Sequence, residues 1–118
     1  MNKRLKINKV SKTENNWRNY NNCDLSPDTT FLPDIVVADM TTVQHIVYKN
    51  GNNGVTTELF KVINGGHTWP GSVISTGVTN YDIDASVEIW KFFSRYDRNG
   101  LIGNNTLIPD VTIDDNDL

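Results

Sequence analysis

The chain has 118 residues, is 37% hydrophobic and 21% charged, and carries a formal net charge of -3. That length allows one domain with a modest core, the composition excludes a wholly disordered chain, and the charge gives no electrostatic footprint for nucleic acid. No apolar run approaches the ~20 residues that cross a bilayer, so no membrane partner is expected.

The charge is uneven. Lys3, Arg4, Lys6 and Lys9 crowd the start and Asp110, Asp114, Asp115 and Asp117 the end. Like-charge blocks repel and resist packing, so both read as solvated tails. Residues 1–9 alternate polar and apolar and lack the apolar stretch of a signal peptide. The single cysteine, Cys23, has no partner for an intramolecular disulfide and reads as a small, semi-buried thiol.

Ser11-Lys12-Thr13-Glu14 has the spacing of a capping box and predicts a short helix ending near Cys23. Trp17 and Tyr20, three apart, share one face of it, while its asparagines weaken it by competing for their own backbone. Residues 24–39 contain Pro27 and Pro33 and read as an extended connection, with Ile35-Val36-Val37 as a short strand inside it. Residues 41–48 and 55–63 are rich in Thr, Val and Ile and predict two strands. The Asn50-Gly51-Asn52-Asn53-Gly54 turn joins them into a hairpin with a loop of about five residues. Apolar residues on both faces of Leu59-Phe60-Lys61-Val62-Ile63 predict a strand covered on both sides.

Asn64-Gly65-Gly66 stops that strand, a glycine pair permitting a sharp turn and close approach. His67-Thr68-Trp69-Pro70-Gly71 follows, and residues 72–81 read as irregular loop. Asp84 is placed as the N-cap of a helix running from Ala85 to about Tyr96. Its buried face comprises Ile89, Trp90, Phe93 and Tyr96. Gly100 is a plausible stop, and residues 99–118 read as an acidic tail or linker.

A strand, a Gly-Gly turn, a histidine and a loop into an amphipathic helix together form the informative feature. A histidine just past a strand's C-terminal end stands where open α/β sheets place ligand-handling groups. Trp69 and Pro70 would stiffen the loop, as a general base must be held at hydrogen-bond distance from its proton donor.

Gly65-Gly66-His67-Thr68-Trp69-Pro70-Gly71 resembles the segment around the catalytic histidine of the polyhydroxybutyrate depolymerase/feruloyl esterase family. ELFKVINGGHTWPG resembles that family's last sheet strand running into the histidine loop, DIDASVEIWKFFSRY its closing helix, and NNWRNYNNC the segment after its acid loop. The resemblance spans residues 15–96. It implies the C-terminal portion of an α/β-hydrolase fold over residues 1–98, with the last sheet strands, the histidine loop and the closing helix. It further implies His67 as catalytic histidine, Trp69 as a residue bordering substrate, an exported parent enzyme, and ester substrates: polyester, feruloylated or acetylated polysaccharide, or small acyl esters. It implies no cofactor and no metal.

Such an enzyme orders its triad Ser, Asp, His and carries the serine in a G-x-S-x-G elbow. Ser11, Ser26, Ser72, Ser75, Ser86 and Ser94 all lack the flanking glycines, and the loop bearing the family's acid has no counterpart here. Asp34, Asp39 and Asp82 are the candidates to substitute for it, though none lies in a matching segment. Asp82 and Asp84 read as helix-capping residues rather than cation ligands, and His45 as a solvent-facing or partly packed strand residue. The expectation is a fragment of a serine esterase that supplies the catalytic histidine and is inactive alone. A non-catalytic module docking onto a partner that completes its sheet is the alternative. A free-standing β-rich binding domain using Trp69 explains the Gly-Gly-His turn less well.

Overall fold

A computed structural model describes residues 9–74 and 76–103. The readings made for residues 1–8 and 104–118 lie outside the described residues. The chain is mixed α and β, with helices α1 (Lys9–Tyr20) and α2 (Ala85–Phe93). Its strands are β1 (Asp28–Phe31), β2 (Thr42–Tyr48), β3 (Thr57–Ile63), β4 (Tyr96–Asp97) and β5 (Gly100–Leu101). The first three strands form one antiparallel sheet in the order β1-β2-β3, and β4 and β5 form a separate two-stranded hairpin. Among the described residues no helix is long and apolar enough to cross a membrane.

Helix α1 begins before its expected capping box. Ser11 lies inside it, so the box does not open the helix. Its end is set by asparagine. Asn22 adopts φ 56°, the Asn22 N–H donates to the Asn19 carbonyl and the Cys23 N–H to that of Arg18. This is the Schellman arrangement, in which a left-handed residue lets two late carbonyls find donors. The asparagines that weaken the helix interior thus also stop it.

The first strand is displaced from its expected place. Residues 28–31 pair with β2, whereas Val37–Asp39 forms a 3-10 turn ending in Met40 at φ 62°. Three β-branched or apolar residues in a row gave the signal at 35–37, but Pro33 and the Asp39 turn remove them from the ladder. Strands β2 and β3 pair over their full length, from Thr42 opposite Ile63 to Tyr48 opposite Thr57. Their connection spans eight residues, 49–56, rather than five.

Alternation places Val43, His45 and Val47 with Glu58, Phe60 and Val62 on one face of the sheet. Thr42, Gln44, Ile46 and Tyr48 share the other with Thr57, Leu59, Lys61 and Ile63. Helix α1 reaches the second face at one end: the Tyr48 hydroxyl donates to Glu14 Oε1 at 2.5 Å and Asn21 Nδ2 to Thr57 Oγ1 at 3.1 Å. Cys23 is buried there, its Sγ 3.6 Å from Thr57 Oγ1. Helix α2 lies along the first face near Phe60 and Val62.

Only Cys23, Val43 and Tyr48 are buried apolar residues among those described. The Cα radius of gyration is 17.4 Å, against about 13 Å for a compact chain of about 100 residues. The expected double cover of β3 is therefore not met: Leu59, Phe60, Val62 and Ile63 are half-buried and Lys61 is exposed. The same holds for α2. Asp84 caps it as expected, Oδ1 accepting from the Val87 N–H at 3.1 Å, but Trp90 is 73% and Phe93 63% exposed. The helix also stops at Phe93 rather than Tyr96, and Tyr96–Asp97 turns back to pair with Gly100–Leu101. Gly100 and its neighbours thus belong to a hairpin and not to a linker. Gly100 has φ +112° and an added Cβ would lie 2.3 Å from the Asn53 carbonyl oxygen.

Candidate functional site

His67 stands past the C-terminal end of β3, at the apex of a turn whose two flanks are tied to one carbonyl. The Gly66 N–H and the Thr68 hydroxyl both donate to the Val78 oxygen, at 2.8 and 2.9 Å. The turn itself is made by Asn64, at φ 65°. Gly66 serves a different end: an added Cβ would come within 3.2 Å of the Val78 oxygen, so only glycine lets the two segments approach without a shift. Gly71 closes the loop at φ +82°, donates its N–H to the Asn80 carbonyl at 2.8 Å, and would place a Cβ 2.8 Å from Asp84 Cα. The Pro70 carbonyl accepts from the Ala85 N–H, joining the loop directly to the start of α2.

The His67 imidazole is exposed and has no hydrogen-bond or ion-pair partner among the described residues. Among the described residues neither a serine nor a carboxylate engages it. Trp69 is half-exposed and its indole N–H donates to Ser86 Oγ at 3.0 Å. It borders a groove of about 380 Å³ between β3 and α2, whose walls include Phe60, Val62, Ile83 and Ile89. This groove is predominantly apolar, as sites for the hydrocarbon part of a ligand are. His67 does not line it.

Three carboxylates gather at the end of the sheet where β2 begins and β3 ends. Asp34, Asp39 and Asp82 each place an oxygen within 4.8 Å of the others. Two are committed to backbone. Asp39 accepts from the Thr41 N–H (2.8 Å), the Thr41 hydroxyl (2.6 Å) and the Tyr81 N–H (2.8 Å). Asp82 accepts from the Val36 N–H at 2.8 Å and from Asn80 Nδ2 at 2.9 Å. Partial desolvation alone would raise the Asp39 pKa, but the Thr41 hydroxyl and the Tyr81 and Thr41 N–H groups outweigh it and hold it below the ordinary value. Asp34 goes the other way, raised by desolvation and then by the charges of Asp82 and Asp39. Asp82 is thus a brace between two loops rather than a helix cap, and Asp84 alone has the capping role.

His45 is not merely a packed strand residue. Its Nε2 lies 2.8 Å from Glu58 Oε1, and its ring stacks on Phe60 at 4.2 Å. Glu58 also accepts from the Thr56 hydroxyl at 2.7 Å and from Arg95. Burial would raise the Glu58 pKa. Hydrogen bonds from Thr56, His45 and Arg95, with the Arg95 charge, reverse this and hold it below the usual range. The signal was present in sequence only as register: on adjacent antiparallel strands, His45 lies one diagonal step from Glu58. The two histidines therefore differ in kind, one satisfied in a network and one without a partner among the described residues.

No protein-family model, no curated protein and no solved structure matches the chain.

Proposed function

We propose that this chain is the histidine-bearing C-terminal portion of a serine carboxylic ester hydrolase, similar to polyhydroxybutyrate depolymerases and feruloyl esterases, and that it is inactive alone. The observation that carries the reading is His67 itself: an unpartnered imidazole held out past the end of a strand, in a loop anchored on both sides. In the complete enzyme it takes the proton from the serine hydroxyl during attack on the ester carbonyl and returns it to the leaving alcohol. The serine, the acid and the oxyanion donors come from polypeptide beyond these residues. Trp69 and the apolar groove beside it supply one wall for an acyl or aryl group, the substrates being polyester, feruloylated or acetylated polysaccharide, or small esters. The parent enzyme is placed outside the cell.

A second reading is a non-catalytic module that docks onto a partner completing its sheet. The outer edge of β3, which no described strand pairs, and the exposed Trp90 and Phe93 favour it, because an open edge and an apolar stripe both call for cover.

Hydrolysis of a short activated ester by the chain, beside His67→Ala, tests the first reading. Both proteins are expected at background. A fast rate abolished by His67→Ala would place an active nucleophile within these 118 residues and overturn it. Sedimentation tests the second, which requires self-association or an obligate partner. A monomeric, well-folded chain argues against it.

A further inference from the structure

Asn80 is 1% exposed, the least accessible polar side chain described together with Thr41 at 2%. Its amide uses every donor and acceptor position it has. Nδ2 donates to Thr41 Oγ1 at 2.7 Å and to Asp82 Oδ2 at 2.9 Å, while Oδ1 accepts from the Asp82 N–H at 3.0 Å and the Ile83 N–H at 3.3 Å. Thr41 is itself held by Asp39, and Asp82 by the Val36 N–H. The amide therefore ties the start of β2, residues 36–41 and the turn at 82–83 into one polar knot. A buried network of this kind, with no atom unsatisfied among those described, fixes a unique geometry, because any displacement leaves a desolvated group without a partner.

The backbone on either side of this amide is what holds the histidine loop. The Asn80 carbonyl receives the Gly71 N–H, and two residues earlier the Val78 carbonyl receives Gly66 and Thr68, the immediate neighbours of His67. Thr79 between them is 4% exposed. The segment from 78 to 80 is thus a rail: the buried Asn80 amide, with the Tyr81 N–H bond to Asp39 beside it, pins it to the body of the protein, and it carries the histidine loop on its outer edge. No described residue grips the imidazole itself, so the rail, which holds the residues on either side, sets the backbone position of His67.

We propose that Asn80 is the positioning residue for His67. It touches neither substrate nor the reacting atoms, and acts by fixing the Val78–Asn80 backbone to which the histidine loop is bonded. The catalytic meaning of that role rests on the esterase reading, whereas the positioning does not.

The chain contains two histidines, which makes the second an internal control. His45 belongs to the β2–β3 hairpin and its Glu58 network, away from the rail. The experiment records imidazole ¹H–¹⁵N spectra and amide exchange of the wild-type chain, Asn80→Ala and the milder Thr41→Val, which removes one of the four bonds to the amide together with the Thr41 hydroxyl bond to Asp39. The expected result is a shifted or broadened His67 signal and at least tenfold loss of protection at the Gly66 and Gly71 amides, with His45 unchanged. The effect should be smaller in Thr41→Val. A His67 signal unmoved in both folded variants overturns the proposal, and so does movement of His67 and His45 together, which is the mark of a general loosening. If Asn80→Ala does not fold, Thr41→Val decides alone by the same two criteria. An altered His67 alongside a wild-type chain that has an active nucleophile of its own would leave the positioning intact and remove the fragment reading.

Discussion

The histidine loop and the helix that follows it are joined by two hydrogen bonds, from the Ala85 N–H to the Pro70 carbonyl and from the Trp69 indole to Ser86 Oγ, yet they are stabilised in opposite ways. Residues 64–84 hold almost no buried apolar side chain and are fastened by a polar knot in which Thr41, Asn80, Asp39 and Asp82 satisfy one another. Helix α2 has a good cap and a good apolar pattern, and leaves much of that pattern in the open, with Trp90, Phe93, Ile89 and Val87 all exposed. The loop carries its own reasons to hold its shape. The helix has the chemistry of a core element without the core. Among the described residues the polar loop is built and the apolar stripe is uncovered, and it is this contrast that the proposed completing polypeptide would resolve.

The largest expected effect comes from breaking the loop at its tightest point. Gly71→Ala forces a Cβ into a left-handed conformation and to 2.8 Å from Asp84 Cα. Together these should cost roughly 2–4 kcal/mol. Chemical denaturation measures it, and a loss under 0.5 kcal/mol would mean the loop is not fixed as described.

Next comes the Glu58 network, which binds the hairpin to the chain beyond α2 through Arg95. Glu58→Gln is expected to cost about 1–3 kcal/mol near neutral pH. The folded Glu58 pKa is depressed, so its contribution is present above the unfolded value of 4.5 and is lost as pH falls through the lower folded value. Asp39 acts in the same sense from an unfolded value of 3.8. Asp34, raised, opposes them: its contribution is present below its unfolded value of 3.8 and is lost as pH rises. A wild-type stability that declines below about pH 4.5, with a shallower decline in Glu58→Gln, is the expected pair of curves. Parallel curves would mean that Glu58 is not the group titrating.

A smaller effect separates the helix's local signals from its packing. Asp84→Ala removes the bond to the Val87 N–H and should cost about 1 kcal/mol. It should lower helicity in the far-ultraviolet spectrum without touching the His45 environment.

How much of this was legible in the sequence follows the same division. The β2–β3 hairpin, the irregular loop, the Asp84 cap and the shared face of Trp17 and Tyr20 were readable because each depends on residues close in the chain. Asn80 was not. Three of its four bonds are a local turn to residues 82 and 83, as many exposed asparagines make, and the fourth, to Thr41, is thirty-nine positions away, so no local pattern marks its burial. Glu58 and His45 were hidden for a related reason, since a diagonal pair exists only once the register is known. The false expectations point the other way. Period and hydrophobicity assigned buried faces to α2 and both sides of β3, because a pattern reports which surface wants cover and not whether the cover is present. His67 and Trp69 were read as one site, but of the two the structure brings only Trp69 to the groove.

The smallest effect is also the sharpest test of that last point. Trp90 is exposed in the isolated chain, so Trp90→Ala should change its stability by no more than about 0.5 kcal/mol. If a completing polypeptide covers the stripe, the same substitution removes a large buried aromatic ring and should weaken the assembly by about 1.5–3 kcal/mol, a ten- to hundredfold loss of affinity. The two measurements must disagree for the comparison between loop and helix to hold. A Trp90→Ala chain that loses 2 kcal/mol while monomeric would show that the ring is already buried within the chain. The open stripe, and the need for a partner that rests on it, would then both be gone.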